Sequence, residues 1–299
     1  MRVGEKLLRA LNEPYVLEVG VLHHGASIGI AISDAPDMSA GSLLKHADVA
    51  LYQAKECGRN NVQFFRPEMQ AKVAQQATME QRLREALERG HLQLHYQAQV
   101  DARGYLTGSE ALMRWFPPDE SPIPPSNFIP VAEKSGLIHK LGAYGLRMAC
   151  RQLSLWKNEI PPQFRMSYNV SASEFLHPDF VQRVRMILEE EQIEGHHLCL
   201  ELTEATVLTE LGVAADRMNA LRELGVEFSL DDFGTGYSSL SYLRQLPVTE
   251  VKIDRSYVGR ILQDSHDAAI VRSILARSEE HTSELQSHSD LVCRLLLEK

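Results

Sequence analysis

The sequence predicts an α/β protein whose larger part is a TIM-like (β/α) barrel lacking its last strands. From residue 92 onward, short apolar runs alternate with amphipathic helical stretches, the order that builds a parallel sheet covered by helices. Glu110, Asn169, Glu201, Asp231, Asp232 and Lys252 each interrupt or end one of those apolar runs, and barrels of this kind carry their site at the C-terminal strand ends. About six strand candidates follow Gly90, whereas a closed barrel wants about eight.

Residues 1–66 read as helix, strand, helix, strand, at 2–11, 26–32, 42–57 and 62–65, a fragment of a small α/β sheet. In the second helix Leu43, Leu44, Ala47, Ala50, Leu51 and Ala54 form one apolar stripe closed by Gly58. Lys55 and Arg59 lie near its end, where cations offset the helix dipole. Residues 67–89 carry Met69, Val73, Leu83 and Leu87 among polar side chains, with Pro67 suited to the first turn and Gly90 to the end. This is a connecting helix; its sparse apolar seam suits a second copy, the following domain or a solvated spacer. The barrel strands are then expected at 92–97, 108–115, 165–170, 198–202, 226–230 and 251–253, with helices at 140–157, 179–191 and 211–223.

The stretch at 226–240, V-E-F-S-L-D-D-F-G-T-G-Y-S-S-L, organises the rest. Val226, Phe228 and Leu230 alternate as a strand with one buried face, and Gly234 and Gly236 permit a tight reversal. Adjacent strand residues point to opposite faces, so Asp231 and Asp232 share a site only where the strand ends, and the pattern ends it there. Hard oxygen donors at a strand end suit Mg²⁺ or Mn²⁺, and a carboxylate bridging two ions is a device for phosphoester hydrolysis. A ligand-free acidic turn uses the same residues. Each polar strand residue alone reads equally as a strand cap or a buried ion pair; five strands converging argue for a site.

Composition narrows the class. The chain has 299 residues, 44% hydrophobic and 24% charged, with a net charge of −9, the profile of an ordinary soluble protein with a large core. That acidity argues against a nucleic-acid polymer as partner and leaves small nucleotides open. Cys57, Cys150, Cys199 and Cys293 lack C-x-x-C spacing, so neither a zinc site nor a disulfide framework is indicated and a reducing cytoplasm is the default. Glu5 and Glu13 spoil a signal-peptide core, no apolar run is long enough to span a bilayer, and His196-His197 reads as a surface pair.

Two resemblances follow from quoted motifs. S-I-G-I-A at 27–31 and A-D-V-A-L-Y-Q-A-K-E-C-G-R-N-N at 47–61 resemble the C-terminal part of a GGDEF (diguanylate cyclase) domain. That resemblance makes Lys55 and Arg59 vestigial contacts to nucleotide phosphates; no G-G-D-E-F occurs, so cyclase activity is not expected. E-A-L-M-R-W at 110–115, Y-N-V-S at 168–171, E-L-T-E at 201–204, D-D-F-G-T-G-Y-S-S at 231–239 and V-K-I-D at 251–254 resemble an EAL domain. The resemblance implies hydrolysis of cyclic di-GMP to linear pGpG with two Mg²⁺ or Mn²⁺ ions. It further implies that Glu110, Asn169, Glu201 and Asp231 hold one metal, that Asp231 and Asp232 reach the second, and that Lys252 orients the attacking water. Gln97 and Arg114 match dinucleotide contacts, and Glu204 matches the glutamate that anchors the loop after Asp232. Ala98 stands where Y-Q-P is usual, and 120–125 lacks the usual glycine.

The expected units are 1–66, a GGDEF fragment; 67–82, the connecting helix; 83–276, a C-terminally truncated EAL domain; and 277–299, a non-native tail. R-S-E-E-H-T-S-E-L-Q-S-H at 277–288 resembles a translated sequencing adapter, and nothing after it reads as a barrel strand. The family's later V-A-E-G-V-E-like and Q-G-Y segments do not occur, so this fragment is expected to be impaired. The parent protein is expected to carry a sensor domain upstream, with a homodimer through the EAL domain and membrane tethering as further options. Two rivals remain: a non-hydrolytic module that binds cyclic di-GMP, and a structural partner domain that binds no nucleotide.

Overall fold

A computed structural model describes residues 2–33, 38–101, 103–233, 240–253 and 292–294. The chain divides into two units, Met1–Arg82 and Leu83–Lys299.

In the first unit, helix α1 (Arg2–Leu11) precedes a two-stranded antiparallel ribbon, β1 (Tyr15–Leu17) and β2 (Gly20–Leu22). Strands β3 (Ile28–Ile30) and β4 (Val62–Phe64) pair in parallel, joined through helix α2 (Ala40–Glu56). Ser39 caps α2 by accepting from the Ser42 amide, which starts the helix two residues ahead of the sequence expectation. At Gly29 a Cβ would lie 2.2 Å from the Leu51 amide nitrogen and 2.3 Å from the Ala47 carbonyl, so only glycine lets α2 lie this close to the sheet. The ribbon was not expected: all six of its positions are exposed, so no half-buried alternation marked it.

Helix α3 (Pro67–Arg89) has the bounds that Pro67 and Gly90 predict; Gly90 takes a φ of 71°, the left-handed conformation that ends a helix. Then come β5 (Leu92–Val100), β6 (Leu106–Trp115), α4 (Pro125–Ser135), α5 (Ile138–Trp156), β7 (Arg165–Asn169), α6 (Ala172–Phe175) and α7 (Phe180–Glu191). The series continues with β8 (Leu198–Thr203), α8 (Glu204–Thr209), α9 (Leu211–Arg222), β9 (Glu227–Phe233), β10 (Glu250–Ile253) and β11 (Val292–Arg294). The seven strands form one sheet in the order β11-β10-β9-β8-β7-β6-β5. Only β5 and β6 run antiparallel; the other neighbours are parallel, as expected of a βα barrel.

Strand alternation splits the sheet into two chemically different faces. Met166, Tyr168, Leu198, Leu200, Leu202, Phe228, Leu230 and Val251 join Leu153, Val184, Ile187, Met218 and Leu221 of the helices in one buried apolar cluster. The alternate positions are polar yet buried: Gln99, Ser167, Glu201, Ser229, Glu250 and Lys252. A polar interior is costly unless its groups are paired or hold a ligand.

Two expectations need correction. Strand β9 does not end at the carboxylates but runs on to Phe233, because Asp231 pairs with Thr203 of β8 and Phe233 with Ile253 of β10. Ladders on both sides carry the strand through both carboxylates, up to the residue before Gly234. The second correction concerns the tail: Val292–Arg294 forms β11, with Glu250, Val251 and Lys252 opposite Val292, Cys293 and Arg294. The free edge of β10 offers backbone partners that no sequence period announces. The loop at 234–239 and the tail at 277–291 lie outside the described residues.

Candidate active site

Stagger between neighbouring strands assembles the site. Glu110 of β6 is level with Ser167 of β7, Asn169 of β7 with Glu201 of β8, and Asp231 of β9 with Thr203 of β8. Each step therefore climbs along the barrel, so residues at unequal distances from their strand starts share one end of it. Asn169 donates from Nδ2 to Glu110 Oε1 at 2.7 Å, and Lys252 Nζ donates to Glu110 Oε2 at 3.4 Å. Lys252 also forms an ion pair with Glu201 Oε1. Both partners are buried, Lys252 at 2% exposure and Glu201 at 1%.

Burial opposes the charge on Lys252, but Glu201 first and Glu110 next outweigh it, with Asp231 contributing, so the ammonium persists above the usual lysine range. Burial is also the largest influence on Glu201 and pushes its carboxyl up; Lys252 pulls it back and Glu110 adds repulsion. Neither charge is favourable here without the other. Among the described residues no three His, Cys, Asp or Glu side chains form a ready cage for a metal. The donors present are nonetheless hard oxygens converging on a place already occupied by positive charge, which fits a hard divalent cation.

The other expected residues fall at graded distances. Gln97 lies opposite Glu110, and Arg114 lies opposite Gln93, with its Nη1 donating to the Met113 carbonyl at 2.9 Å. The side chain of Asp232 is outside the described residues. Glu204 opens α8 behind the Thr203 cap and is buried. Burial, then the hydrogen bond and charge of Glu204, hold the Tyr242 phenol well above its usual range, so Glu204 faces Tyr242. Lys55 and Arg59 sit in the first unit at the exposed end of α2, Arg59 with a φ of 55°.

Sequence reasoning missed Glu174, whose signal was the S-x-x-E spacing of a capping box. Ser171 accepts from the Glu174 amide at 3.3 Å, and its hydroxyl donates to Glu174 Oε2 at 2.9 Å, fixing the turn of α6 just after Asn169. Burial pushes the Glu174 carboxyl up to about 7, against the Ser171 hydrogen bonds and Arg183, with Glu133 adding repulsion. A folded pKa above the ordinary 4.5 means that the stability it contributes is full below about 4.5 and lost as pH rises through about 7. Glu174→Gln is therefore expected to flatten the fall in unfolding free energy between pH 5 and 8, on the order of 1–3 kcal/mol. Urea titrations across that range check it; an unchanged slope would assign the pH dependence elsewhere.

Comparison with known proteins agrees with this geometry. The family model for the EAL domain matches residues 80–285, and that for "Diguanylate cyclase, GGDEF domain" matches residues 1–61. The chain is 42% identical over 275 residues to the bifunctional diguanylate cyclase/cyclic di-GMP phosphodiesterase MucR of Pseudomonas aeruginosa, covering 92% of this chain and 40% of MucR. It is 37% identical over 279 residues to the cyclic di-GMP phosphodiesterase NbdA of the same organism, covering 93% of this chain and 36% of NbdA. The chain thus spans about two fifths or less of these relatives' lengths. The solved PaMucR phosphodiesterase in complex with c-di-GMP superposes with a TM-score of 0.68 at 40% identity, over 74% of this chain and 88% of that one. Among the described residues no helix is long and apolar enough to cross a membrane. A family match over more than half of the chain, on a sheet that gathers the same motif residues at one end, establishes that this protein belongs to the EAL domain family, with part of a GGDEF domain ahead of it.

Proposed function

We propose that the parent protein of this chain is a cyclic di-GMP phosphodiesterase that hydrolyses the cyclic dinucleotide to linear pGpG, and that the chain carries most of its site. The observation that carries this is the cluster of Glu110, Asn169, Glu201 and Lys252, the last two buried, brought together from four strands with Asp231 close enough to act on Lys252. Glu110, Asn169, Glu201 and Asp231 would hold one Mg²⁺ or Mn²⁺, and Asp231 with Asp232 a second; bound there, such ions neutralise a phosphodiester and activate water. Lys252, held charged and immobile by its acidic neighbours, orients the attacking water. Arg114 supplies a charge-assisted bond to the dinucleotide and Gln97 a polar contact beside Glu110. Glu204 supports the 234–239 loop through its return at Tyr242 and does not hold metal.

Within this reading residues 1–66 are a vestigial GGDEF fragment with Lys55 and Arg59 as its old phosphate contacts, 67–82 the connector, 83–276 the catalytic domain and 277–299 an appended tail. The test is hydrolysis of cyclic di-GMP with added Mg²⁺ or Mn²⁺ and with chelator, for the chain completed with the family's later segments and for Asp231→Asn in that background. Metal-dependent turnover that falls about a thousandfold or more in Asp231→Asn is expected. Tight binding with no turnover under any metal would instead favour a non-hydrolytic binding module.

A further inference from the structure

Strand β5 places one aromatic pair where the proposed chemistry has no use for it. Its Leu92 and Leu94 are buried on the helical side, and Tyr96 meets Trp156 edge-on at 4.9 Å on that same side. Gln93, His95, Gln97 and Gln99 therefore share the opposite face. Gln99 is buried and its Nε2 reaches Ser167 Oγ at 3.4 Å, so that face looks into the barrel. Because β5 runs antiparallel to β6, its residues climb toward the mouth as their numbers fall. Gln97 is level with Glu110, His95 with Leu112, and Gln93 with Arg114.

His95 thus lies between the levels of the two expected dinucleotide contacts, Gln97 and Arg114. Its ring is exposed and stacks on Phe116, with centroids 5.4 Å apart and 29° between planes. The Phe116 amide donates to the His91 carbonyl at 3.0 Å, tying Phe116 to the chain just ahead of β5. One face of the imidazole is backed by a second ring while the residue stays open at the rim. A backed aromatic face beside phosphate contacts is a stacking surface for a flat heterocycle.

We infer that His95, backed by Phe116, is the platform on which one guanine base of the dinucleotide stacks, an inference that rests on the phosphodiesterase reading above. Stacking recognises the π-face of a purine and needs no hydrogen bond from the ring, so the platform positions the base while Arg114 and the acidic cluster deal with the phosphate. His95 is a binding residue and takes no part in proton transfer.

The experiment measures equilibrium binding of cyclic di-GMP to the whole chain, and the quenching of an analogue carrying 2-aminopurine in place of one guanine. His95→Ala is expected to weaken binding about ten- to a hundredfold and to relieve the quenching. His95→Phe, which keeps an aromatic face, should restore both to within about twofold of the parent, and Phe116→Ala should fall between. Parental affinity and quenching in His95→Ala overturn the platform and leave the phosphodiesterase reading standing. Weakened binding together with no turnover, even after the family's later segments are restored, keeps the platform and sinks the hydrolytic reading. No binding by the parent chain overturns both.

Discussion

Replacing Glu201 by glutamine, in the chain completed with the family's later segments, is expected to lower cyclic di-GMP turnover by about a thousandfold or more and to destabilise the fold by about 3 kcal/mol. Two separate physical losses coincide at this residue. The Lys252 ammonium has 3% of its side chain exposed and loses its closest counter-charge. Glu110 remains at 3.4 Å and compensates only in part. Removing one partner of a buried pair is worse than removing both. The double replacement Glu201→Gln with Lys252→Met should therefore recover most of the stability and none of the turnover. Urea unfolding and a metal-dependent hydrolysis assay separate the two quantities. Turnover that returns together with stability would make the cluster a structural ion network and remove the basis of the proposed chemistry.

Gly142→Ala is expected to destabilise the protein by about 2–4 kcal/mol, the opposite sign to what helix propensity alone gives. A Cβ at Gly142 would lie 1.4 Å from Glu174 Oε1 and 2.4 Å from its Cδ. Glu174 cannot simply turn aside, because Ser171 holds it in the capping box. The neighbouring groove is just as close: the Tyr168 hydroxyl donates to the Gly142 carbonyl at 3.2 Å, and a Cβ at Gly145 would lie 2.3 Å from that hydroxyl oxygen. These glycines let α5 lie against both flanks of Asn169. Adding Glu174→Ala should relieve the overlap and return part of the loss. A Gly142→Ala chain as stable as the parent in urea would show that the groove yields freely and that Asn169 is not held from this side.

Local periods made the strands and the long helices legible: β6, β7 and β8 and helices α5, α7 and α9 fall within two residues of their expected bounds. The short helices α4, α6 and α8 were not foreseen. Their four to eleven residues hold too few turns for a sustained apolar stripe, and α6 exists through its capping box. Strand β11 was missed for a different reason, since its partner edge on β10 is remote in sequence.

The sequence by itself determined which chemistry was available: acids and an amide at the ends of alternating strands, a lysine on a further strand, and motifs specific enough to name a family. These are local facts, carried by residue type and by a period of two. Only the tertiary structure decided which side chains meet. Lys252 reaches Glu110 across 142 residues, and it does so because four strands are staggered by amounts that no local pattern contains. The same holds for the stacked pair of His95 and Phe116 and for Glu174 under Gly142. Register and close approach are set by the packing of whole elements, so the partners of a buried charge or an exposed ring appear only when the sheet has formed.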